Sequence, residues 1–369
     1  MSRAFLFPAC LPAVTRTSPM TQPVMRQDPL TGHWVIFSTS RGDRPIRLSK
    51  PVAAPSVDPA DDPFAPGNEH ETPGESYAIR RDGSQPNHPG WDLRIVPNRY
   101  PAVSTLESDG LAQEPAAYGY HEVIIETPRG ESMFSRLSIM EIADVFVSVQ
   151  QRMIAMKSDS RLRSLAYFKN EGAAAGASLP HVHSQLMGLE FVPPFLQAEF
   201  DATHRYWEAE GSSKGRNWFE SLLDAELSNQ NDSRIVDRSV DLVSLCPYAS
   251  RYAYETWFVP TRRNASYLNA TIEEIEELAR QVHGVLNSLM SIVPHVPYNL
   301  ALHTAPLGLE KVPHYHWHLE LYPRVNGLAG LECGFGCHLN TVMPEQAASA
   351  LRVGSAVRTV NRVDSTNTR

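Results

Sequence analysis

The sequence predicts a duplicated fold in which strands and amphipathic helices occur in the same order twice. Residues 254–260 resemble residues 120–126, and His318 follows His183 at almost the same interval as Glu255 follows His121. Two pairs of corresponding residues with nearly the same separation along the sequence indicate an internal duplication. The length of 369 residues fits two domains or one long duplicated domain.

The elements of the first half follow from local patterns. The predicted strands are residues 33–38, 93–97, 120–127, 165–168 and 183–191. Between the third and fourth strands, Ser138 and Glu141 form a capping box that begins a helix. Apolar residues at helical spacing extend this helix to Lys157.

The second half repeats this order. The predicted strands are residues 254–260, 298–303 and 314–321. Thr271, with Glu274 three positions later, caps a helix that is predicted to extend through Val285. Residues 208–240 are polar and are expected to form a helix and a loop between the halves.

Composition excludes several classes of protein. The 33 Lys and Arg residues against 41 Asp and Glu residues give a formal charge of -8, which lacks the positive field of a general nucleic-acid binder. A nucleotide-sized ligand remains possible, since one local site can meet its few charges. The sequence has no apolar run of the length that a transmembrane helix needs.

The four cysteines and the N-terminal segment bear on the compartment. Four cysteines in a chain of this length make no disulfide framework, and none form a Cys-x-x-Cys pair. We therefore expect a reducing, cytoplasmic environment. We interpret residues 1–22 as a disordered leader, with a secretion signal as the alternative.

The first dense cluster of chemical groups is His181-Val-His183-Ser-Gln185. On a strand these three polar side chains share one face, because side chains alternate with period two. A neutral imidazole there can attack the α-phosphorus of a nucleotide and form a covalent intermediate. Gln185 can donate to the phosphate oxygen as charge develops. The alternative is that both histidines are ordinary strand residues.

Upstream, residues 170–178 form a loop of small residues that lets a ligand approach the backbone closely. Main-chain N–H groups in such a loop can hold phosphate oxygens. The loop carries Asn170 and Ser178 at its ends.

The second cluster is His314-Tyr-His316-Trp-His318-Leu-Glu320. Its polar residues would face one side of a strand, with His303 on a neighbouring strand. Several imidazoles on one face are typical of a metal site, and a carboxylate is a plausible fourth ligand. The alternative is a polar surface stripe.

Ordered motifs along the chain make it similar to a known family. The motifs are residues 28–34, 62–69, 96–101, 181–185 and 316–320. They resemble the galactose-1-phosphate uridylyltransferase family of the histidine-triad superfamily. The resemblance implies an α+β fold: a duplicated histidine-triad-like unit with antiparallel sheets and flanking helices. It also implies a homodimer whose active site is built from both subunits.

Combined with the repeat, the resemblance gives domain boundaries. The predicted parts are a leader (1–22), an N-terminal half with the nucleophile (23–195), a C-terminal half with the metal site and hexose contacts (196–353) and a tail (354–369).

The resemblance also implies roles for individual residues. His183 matches the nucleophile, Gln185 the amide that supports the nucleotidyl-enzyme, and His181 a hydrogen-bonding neighbour. The residues that match substrate-binding positions are Arg41, Arg44, Asn170 and Ser178 (phosphates), Asn98 (nucleoside) and Glu332 (hexose).

The family has two metal sites, and we expect only one of them to hold a metal ion in this chain. Glu199, His303, His316 and His318 match a structural site for one zinc or iron ion. At the other family site, Asp62 and Ala65 replace two cysteines, Gly130 replaces a histidine, and only His181 remains. We expect that site to be empty, because so few ligands cannot close a four-coordinate zinc site.

The leading hypothesis is therefore a double-displacement enzyme that exchanges UMP between UDP-glucose and galactose 1-phosphate through a uridylyl-histidine. One alternative is an ADP-glucose phosphorylase of the same family. Another is a catalytically weak protein that binds nucleotide sugars. All three bind a nucleotide sugar, and none involves nucleic acid or a membrane.

Overall fold

The computed structural model describes residues 22–43, 59–105, 116–229 and 234–352. Its strands are β1 (Val24–Gln27), β2 (Trp34–Phe37), β3 (Tyr77–Ile79), β4 (Leu93–Pro97), β5 (Gly119–Ile125), β6 (Ser164–Glu171), β7 (His183–Leu189), β8 (Ile235–Arg238), β9 (Leu242–Leu245), β10 (Thr256–Pro260), β11 (Tyr298–His303), β12 (His318–Pro323) and β13 (His338–Asn340). Its α-helices are α1 (Ile139–Met156), α2 (Pro194–Tyr206), α3 (Ser212–Lys214), α4 (Trp218–Ser228), α5 (Ile272–Ile292) and α6 (Gly330–Phe335).

One ten-stranded antiparallel sheet contains both halves of the predicted repeat. Its order is β3-β4-β5-β7-β6-β11-β12-β10-β9-β8. Counted inwards from each outer edge, the order β3-β4-β5-β7-β6 of the first half corresponds to β8-β9-β10-β12-β11 of the second. The halves join where β6 pairs with β11. The α+β class and the duplication are thus confirmed, but the two halves share a single sheet instead of forming two.

The helices α1 and α5 occupy equivalent places in the two halves and cover the same face of the sheet. Each begins with the predicted capping box, Ser138 with Glu141 in α1 and Thr271 with Glu274 in α5. Their buried apolar residues share one core cluster with residues of the strands, such as Tyr167. The opposite face is covered in part: Phe200 of α2 and Phe219 of α4 belong to a second cluster over its C-terminal half, and Phe64 and Trp91 belong to a smaller one over its N-terminal half. The polar side chains of this face lie between these clusters.

Several predicted boundaries are wrong. Strand β6 continues to Glu171 instead of ending at Phe168, so Asn170 belongs to the strand and not to the predicted loop. Residues 208–240 include the strand β8 as well as helix and loop. Helix α5 continues to Ile292, beyond the predicted end at Val285. Strand β12 begins at His318 instead of residue 314, because residues 304–317 form turns and irregular backbone. This late start changes which histidines share a face, as described below.

A second, smaller sheet has the order β1-β2-β13, in which β2 and β13 are parallel. The predicted leader, except for Gln22, and the predicted tail lie outside the described residues. The predicted boundary between residues 195 and 196 falls inside α2 and stays a prediction. No helix among the described residues is long and apolar enough to cross a membrane.

The pairing of β5 with β7 brings two backbones very close at Gly119 and Gly188. A Cβ atom at residue 119 would overlap the carbonyl oxygen of Gly188. Gly119 pairs with Leu189, at the end of the ladder that also aligns Val123 with Gln185. Glycine at this position is thus needed for the register of the predicted active-site strand.

We expect Gly119→Ala to lower the free energy of unfolding by about 1–3 kcal/mol, the usual cost of overpacking. Urea denaturation would measure it. The matched control is Gly327→Ala, because Gly327 is exposed and a Cβ atom there would meet no neighbour within 4 Å. Equal stability of the two variants would contradict the role of the close approach.

Candidate active site and metal site

His183 is the first residue of β7, and its ring has one defined tautomer. Its Nδ1 lies 2.7 Å from the carbonyl oxygen of His181, to which it must donate. The proton therefore sits on Nδ1, and Nε2 keeps a lone pair. No described residue forms a hydrogen bond with Nε2. This is the arrangement that an attacking imidazole requires.

Burial keeps the His183 ring neutral. The residue is 6% exposed. Desolvation lowers its pKa from 6.5 to about 4, although the hydrogen bond to the His181 carbonyl works in the opposite direction. The ring of Phe64 packs edge-on against it, with ring centres 5.5 Å apart. At neutral pH the His183 ring is thus uncharged, the form that an attacking imidazole needs.

A buried ion pair between Lys169 and Glu126 contacts the backbone of β7 on the side of the sheet that α1 and α5 cover. Lys169 Nζ donates to the carbonyl oxygen of His183 at 3.0 Å and to Glu126 Oε2 at 2.6 Å. Both side chains are almost completely buried on the helix-covered side of the sheet. These bonds fix the backbone from which the His183 ring projects.

The side chains of Gln185 and His183 project from the same face of β7, which is the face of the sheet opposite α1 and α5 and is called the open face below. The Gln185 amide contacts His121 on β5. His121 Nε2 lies 2.7 Å from Gln185 Oε1. Asn98, which follows β4, has its amide nitrogen 3.2 Å from the same His121 nitrogen and its backbone N–H bonded to the His121 carbonyl. The structure thus brings Asn98, Gln185 and His183 to one face, through a histidine that the sequence analysis did not assign to the site.

Asn170 is level with His183 on the neighbouring strand β6, two residues beyond Phe168, which pairs with Gln185. Its Oδ1 accepts a hydrogen bond from Asn299 Nδ2 at 2.8 Å, which leaves its own amide protons for a ligand. The small-residue loop follows directly, with a 3-10 turn at Ala173–Ala175. Ser178, at its far end, is exposed.

His181 faces a different environment from His183. Its Nδ1 lies 2.5 Å from Asp62 Oδ2, and its Nε2 lies 2.9 Å from the carbonyl oxygen of Thr127. Both ring nitrogens thus have hydrogen-bond partners. Ala65 and Gly130 offer no ligand atoms, so this described region forms no group of three metal-binding side chains. The empty first metal site stays a prediction.

The C-terminal half contains a buried group that fits a metal ion. The ligand atoms of Glu199, His303, His318 and Glu320 all lie within 4.8 Å of one another. Glu199 comes from α2, His303 ends β11, and His318 begins β12. Two imidazoles and two carboxylates are a donor set that zinc or iron accepts.

Opposite charges dominate the electrostatics of this group. Burial opposes ionisation, yet the carboxylates of Glu199 and Glu320 raise the pKa of His303 to about 9. Burial would likewise favour the acid form of Glu320, but His303 and Arg251 hold the pKa of that carboxyl well below its usual range. The two carboxylates are therefore available as anionic ligands.

His316, a predicted ligand, is not part of this group, whose fourth member is Glu320. It lies before β12, so the alternation that places His318 and Glu320 on one face does not apply to it. Its Nδ1 lies 3.0 Å from Asn217 Nδ2, and its buried Nε2 has no hydrogen-bond partner among the described residues, so its role as a ligand stays a prediction. His314 is also outside the group and packs against Phe200.

Of the remaining predicted residues, Arg41 and Glu332 are described by the structure, and neither is joined to His183 by a contact. Arg41 lies in the 3-10 turn Thr39–Asp43, and Arg44 lies outside the described residues. Glu332 is in α6, where its carboxylate accepts hydrogen bonds from the backbone N–H groups of Ala329 and Leu339. Their substrate contacts stay predictions.

His121 was missed by the sequence analysis, and Glu320 was named in the second cluster but not among the ligands that the family resemblance implies. His121 was noted only as a landmark of the repeat, although it belongs to a predicted strand next to the active-site strand. Glu320 is two residues after His318, as Gln185 is two residues after His183. The repeat itself therefore pointed to residue 320 as a functional position.

Comparison with known proteins identifies similar proteins of one family. Residues 14–193 match the family described as galactose-1-phosphate uridyl transferase, N-terminal domain. The ADP-glucose phosphorylase of Arabidopsis thaliana is 31% identical over 341 residues, 89% of this chain and 92% of that protein. The galactose-1-phosphate uridylyltransferase of Thermotoga maritima is 24% identical over 342 residues, 89% of this chain and 97% of that protein.

A solved structure has the same fold. The crystal structure of an ADP-glucose phosphorylase from Arabidopsis thaliana with bound ADP-glucose superposes with a TM-score of 0.76 at 30% sequence identity. The match covers 90% of this chain and 99% of that chain. The ten-stranded sheet and its helices are thus an architecture already observed in this group of proteins.

The lowered pKa of His183 predicts its titration and an effect on stability. Nuclear magnetic resonance of ring-labelled protein should show His183 neutral at pH 5.5 and protonated only near pH 4. In the unfolded chain the ring takes up its proton near 6.5, so stability falls as the pH drops from 6.5 towards 4. Replacing His183 by Asn should remove up to ~3 kcal/mol of that pH dependence. A His183 titration near 6.5 would contradict this.

The revised ligand set predicts the metal content of two matched variants. Wild-type protein and His316→Gln should each carry about one ion per chain by elemental analysis. Glu320→Gln should lose most of it, because it removes an anionic ligand from the group. Loss of the ion in His316→Gln with retention in Glu320→Gln would restore the original assignment.

Proposed function

The chain belongs to the galactose-1-phosphate uridylyltransferase family of nucleotidyltransferases, and we propose that it transfers the AMP group of ADP-glucose to inorganic phosphate through His183. The observation that carries this proposal is the buried, neutral His183 ring, whose Nδ1 is bonded to a carbonyl and whose Nε2 retains its lone pair. Such a ring suits attack on phosphorus.

In the first step His183 Nε2 attacks the α-phosphorus of the nucleotide sugar, and the bond from that phosphorus to the bridging oxygen breaks. Glucose 1-phosphate leaves with the electron pair. A phosphate monoester loses its second proton with a pKa of about 6, so it can leave as a dianion without a proton donor. In the second step a phosphate oxygen attacks the same phosphorus, ADP forms, and Nε2 regains its lone pair.

The neighbouring groups have supporting roles in this scheme. Gln185 Nε2 and Asn170 Nδ2 can donate to the oxygens of the transferred phosphoryl group. The carbonyl of His181 keeps accepting from Nδ1–H and stabilises the positive charge that the ring gains on attack. In the loop at residues 172–178, the N–H groups of Ala175, Gly176 and Ala177 donate to carbonyls of the loop itself, so the remaining backbone N–H groups are the ones that can bind the second phosphate.

The group of Glu199, His303, His318 and Glu320 would hold one zinc or iron ion. When bound, the ion would crosslink α2 to β11 and β12. Its contribution in this proposal is structural, through the strands next to the active-site strands.

Adenine is favoured over uracil by the degree of similarity. The ADP-glucose phosphorylase of Arabidopsis thaliana is 31% identical to this chain over 341 aligned residues, compared with 24% over 342 for the uridylyltransferase of Thermotoga maritima. This reverses the order of the two hypotheses from the sequence. Exchange of UMP between UDP-glucose and galactose 1-phosphate stays the second candidate, since uridylyltransferases match over most of the chain.

Trapping the intermediate tests the proposal. Purified protein would be incubated with ADP-glucose or UDP-glucose labelled at the α-phosphorus, without acceptor. We expect acid-labile AMP on His183, released as ADP when phosphate is added, and no label on His183→Asn. UMP label released by galactose 1-phosphate would support the second candidate instead.

The negative outcome is also informative. Absence of label from both sugars, with binding of either one measured by calorimetry, would exclude the covalent route and favour a binding protein. Label that persists in His183→Asn would contradict the assignment of the nucleophile.

A further inference from the structure

Gln185 needs a fixed amide orientation if it is to act on a phosphoryl group. Its Nε2 can donate to a phosphate oxygen, whereas its Oε1 would repel one. The two ends of an amide have nearly the same shape, so packing alone does not choose between them. A neighbour with a defined hydrogen-bonding polarity is required.

His121 has such a polarity because of its own backbone contact. The backbone N–H of Ala102 donates to His121 Nδ1 at 3.0 Å. A neutral imidazole has one N–H and one acceptor nitrogen, and the Ala102 N–H fixes Nδ1 as the acceptor, so the proton belongs on Nε2. Asn98 Nδ2 also lies 3.2 Å from Nε2, but a single N–H points in one direction, and the shorter contact is the one to Gln185 Oε1. His121 Nε2 then donates to Gln185 Oε1 at 2.7 Å. This leaves the Gln185 amide protons directed to the open face of the sheet.

The sheet register places these groups within reach of each other. Val123, two residues after His121 on β5, pairs with Gln185, and His121 pairs with Met187. His121 and Gln185 are thus diagonal neighbours on the same face. The equivalent strands of the second half also bring their residues together, since Glu255 and Glu320 both contact Arg251.

We infer that His121 is a positioning residue that locks the Gln185 amide with its donor towards the transferred phosphoryl group. The same residue contacts the segment that follows β4, through Ala102 and through the backbone N–H of Asn98. It therefore also connects the predicted nucleoside-binding segment to the phosphoryl-binding amide. This inference rests on the proposed nucleotidyl transfer at His183.

The test compares His121→Phe with His121→Gln. Phenylalanine keeps a ring but cannot donate, so the single-turnover rate of nucleotidylation should fall by about 10–100-fold, typical for loss of an orienting partner. The dissociation constant of the sugar nucleotide should change far less. Glutamine retains a donor and should recover part of the rate. His88→Phe, at an exposed loop histidine bonded to Pro86, is the matched control.

A double-mutant cycle separates positioning from a general structural role. In the Gln185→Ala background, His121→Phe should slow the reaction by less than about twofold, because its only route of action is gone. If His121→Phe lowers the rate by the same factor in the Gln185→Ala background as in the wild type, the inference is wrong. It is also wrong if His121→Phe keeps the wild-type rate while Gln185→Ala is slow.

A spectroscopic measurement keeps this test independent of the reaction. The nitrogen chemical shifts of His121 in the full-length protein should show protonated Nε2 and unprotonated Nδ1. The opposite tautomer would overturn the inference even if nucleotidylation proceeds. The expected tautomer in a protein that neither sugar labels would support the hydrogen bond while the proposed reaction fails.

Discussion

The structure depends on the antiparallel pairing of β6 with β11, which fuses the two repeats into one sheet. This pairing aligns Asn170 with Asn299, and the pairing of β11 with β12 aligns Asn299 with Tyr322. The face of the sheet that carries His183 therefore also carries His318 and the metal group, where α2 and α4 cover it and the ring of Phe219 packs against that of His318. Arg324 Nε donates to Asn299 Oδ1 at 2.6 Å and reinforces this row.

The repeats use the same strand positions for different chemistry. His183 and His318 begin equivalent strands, and Gln185 and Glu320 follow each at the same spacing. The ring of His183 faces a backbone carbonyl, and burial lowers its pKa to about 4. Near His318 two carboxylates are buried instead, and they raise the pKa of the adjacent His303 to about 9. A neutral acceptor leaves the His183 ring uncharged, as the proposed nucleophile requires, whereas anionic neighbours give the second half a group that suits a cation.

Polar groups behind the sheet complete the active site without touching the open face. Lys169 and Glu126 are buried against each other beneath β7, where Lys169 also bonds the His183 carbonyl. An ion pair of this kind is costly to break, because removing one partner leaves an unpaired buried charge. Its presence under the reactive strand limits movement of the backbone at His183.

The sequence by itself determined the duplication, the capped helices and the residue pattern around His183, because these depend on local spacing and on motifs. The alternation of side chains placed Gln185 beside His183 once β7 was known to be a strand. It does not extend to His316, because β12 begins only at His318, after turns that no periodicity marks.

Only the tertiary structure decided the tautomer of His183, its pKa, the contact of His121 with Gln185 and the place of Glu320 among the possible ligands. Each depends on neighbours that are distant in the chain, such as Ala102 beside His121 or Glu199 beside His303. Hydrogen bonding and desolvation act over a few ångströms, so they are set by the assembled sheet and cannot be read from spacing in the sequence.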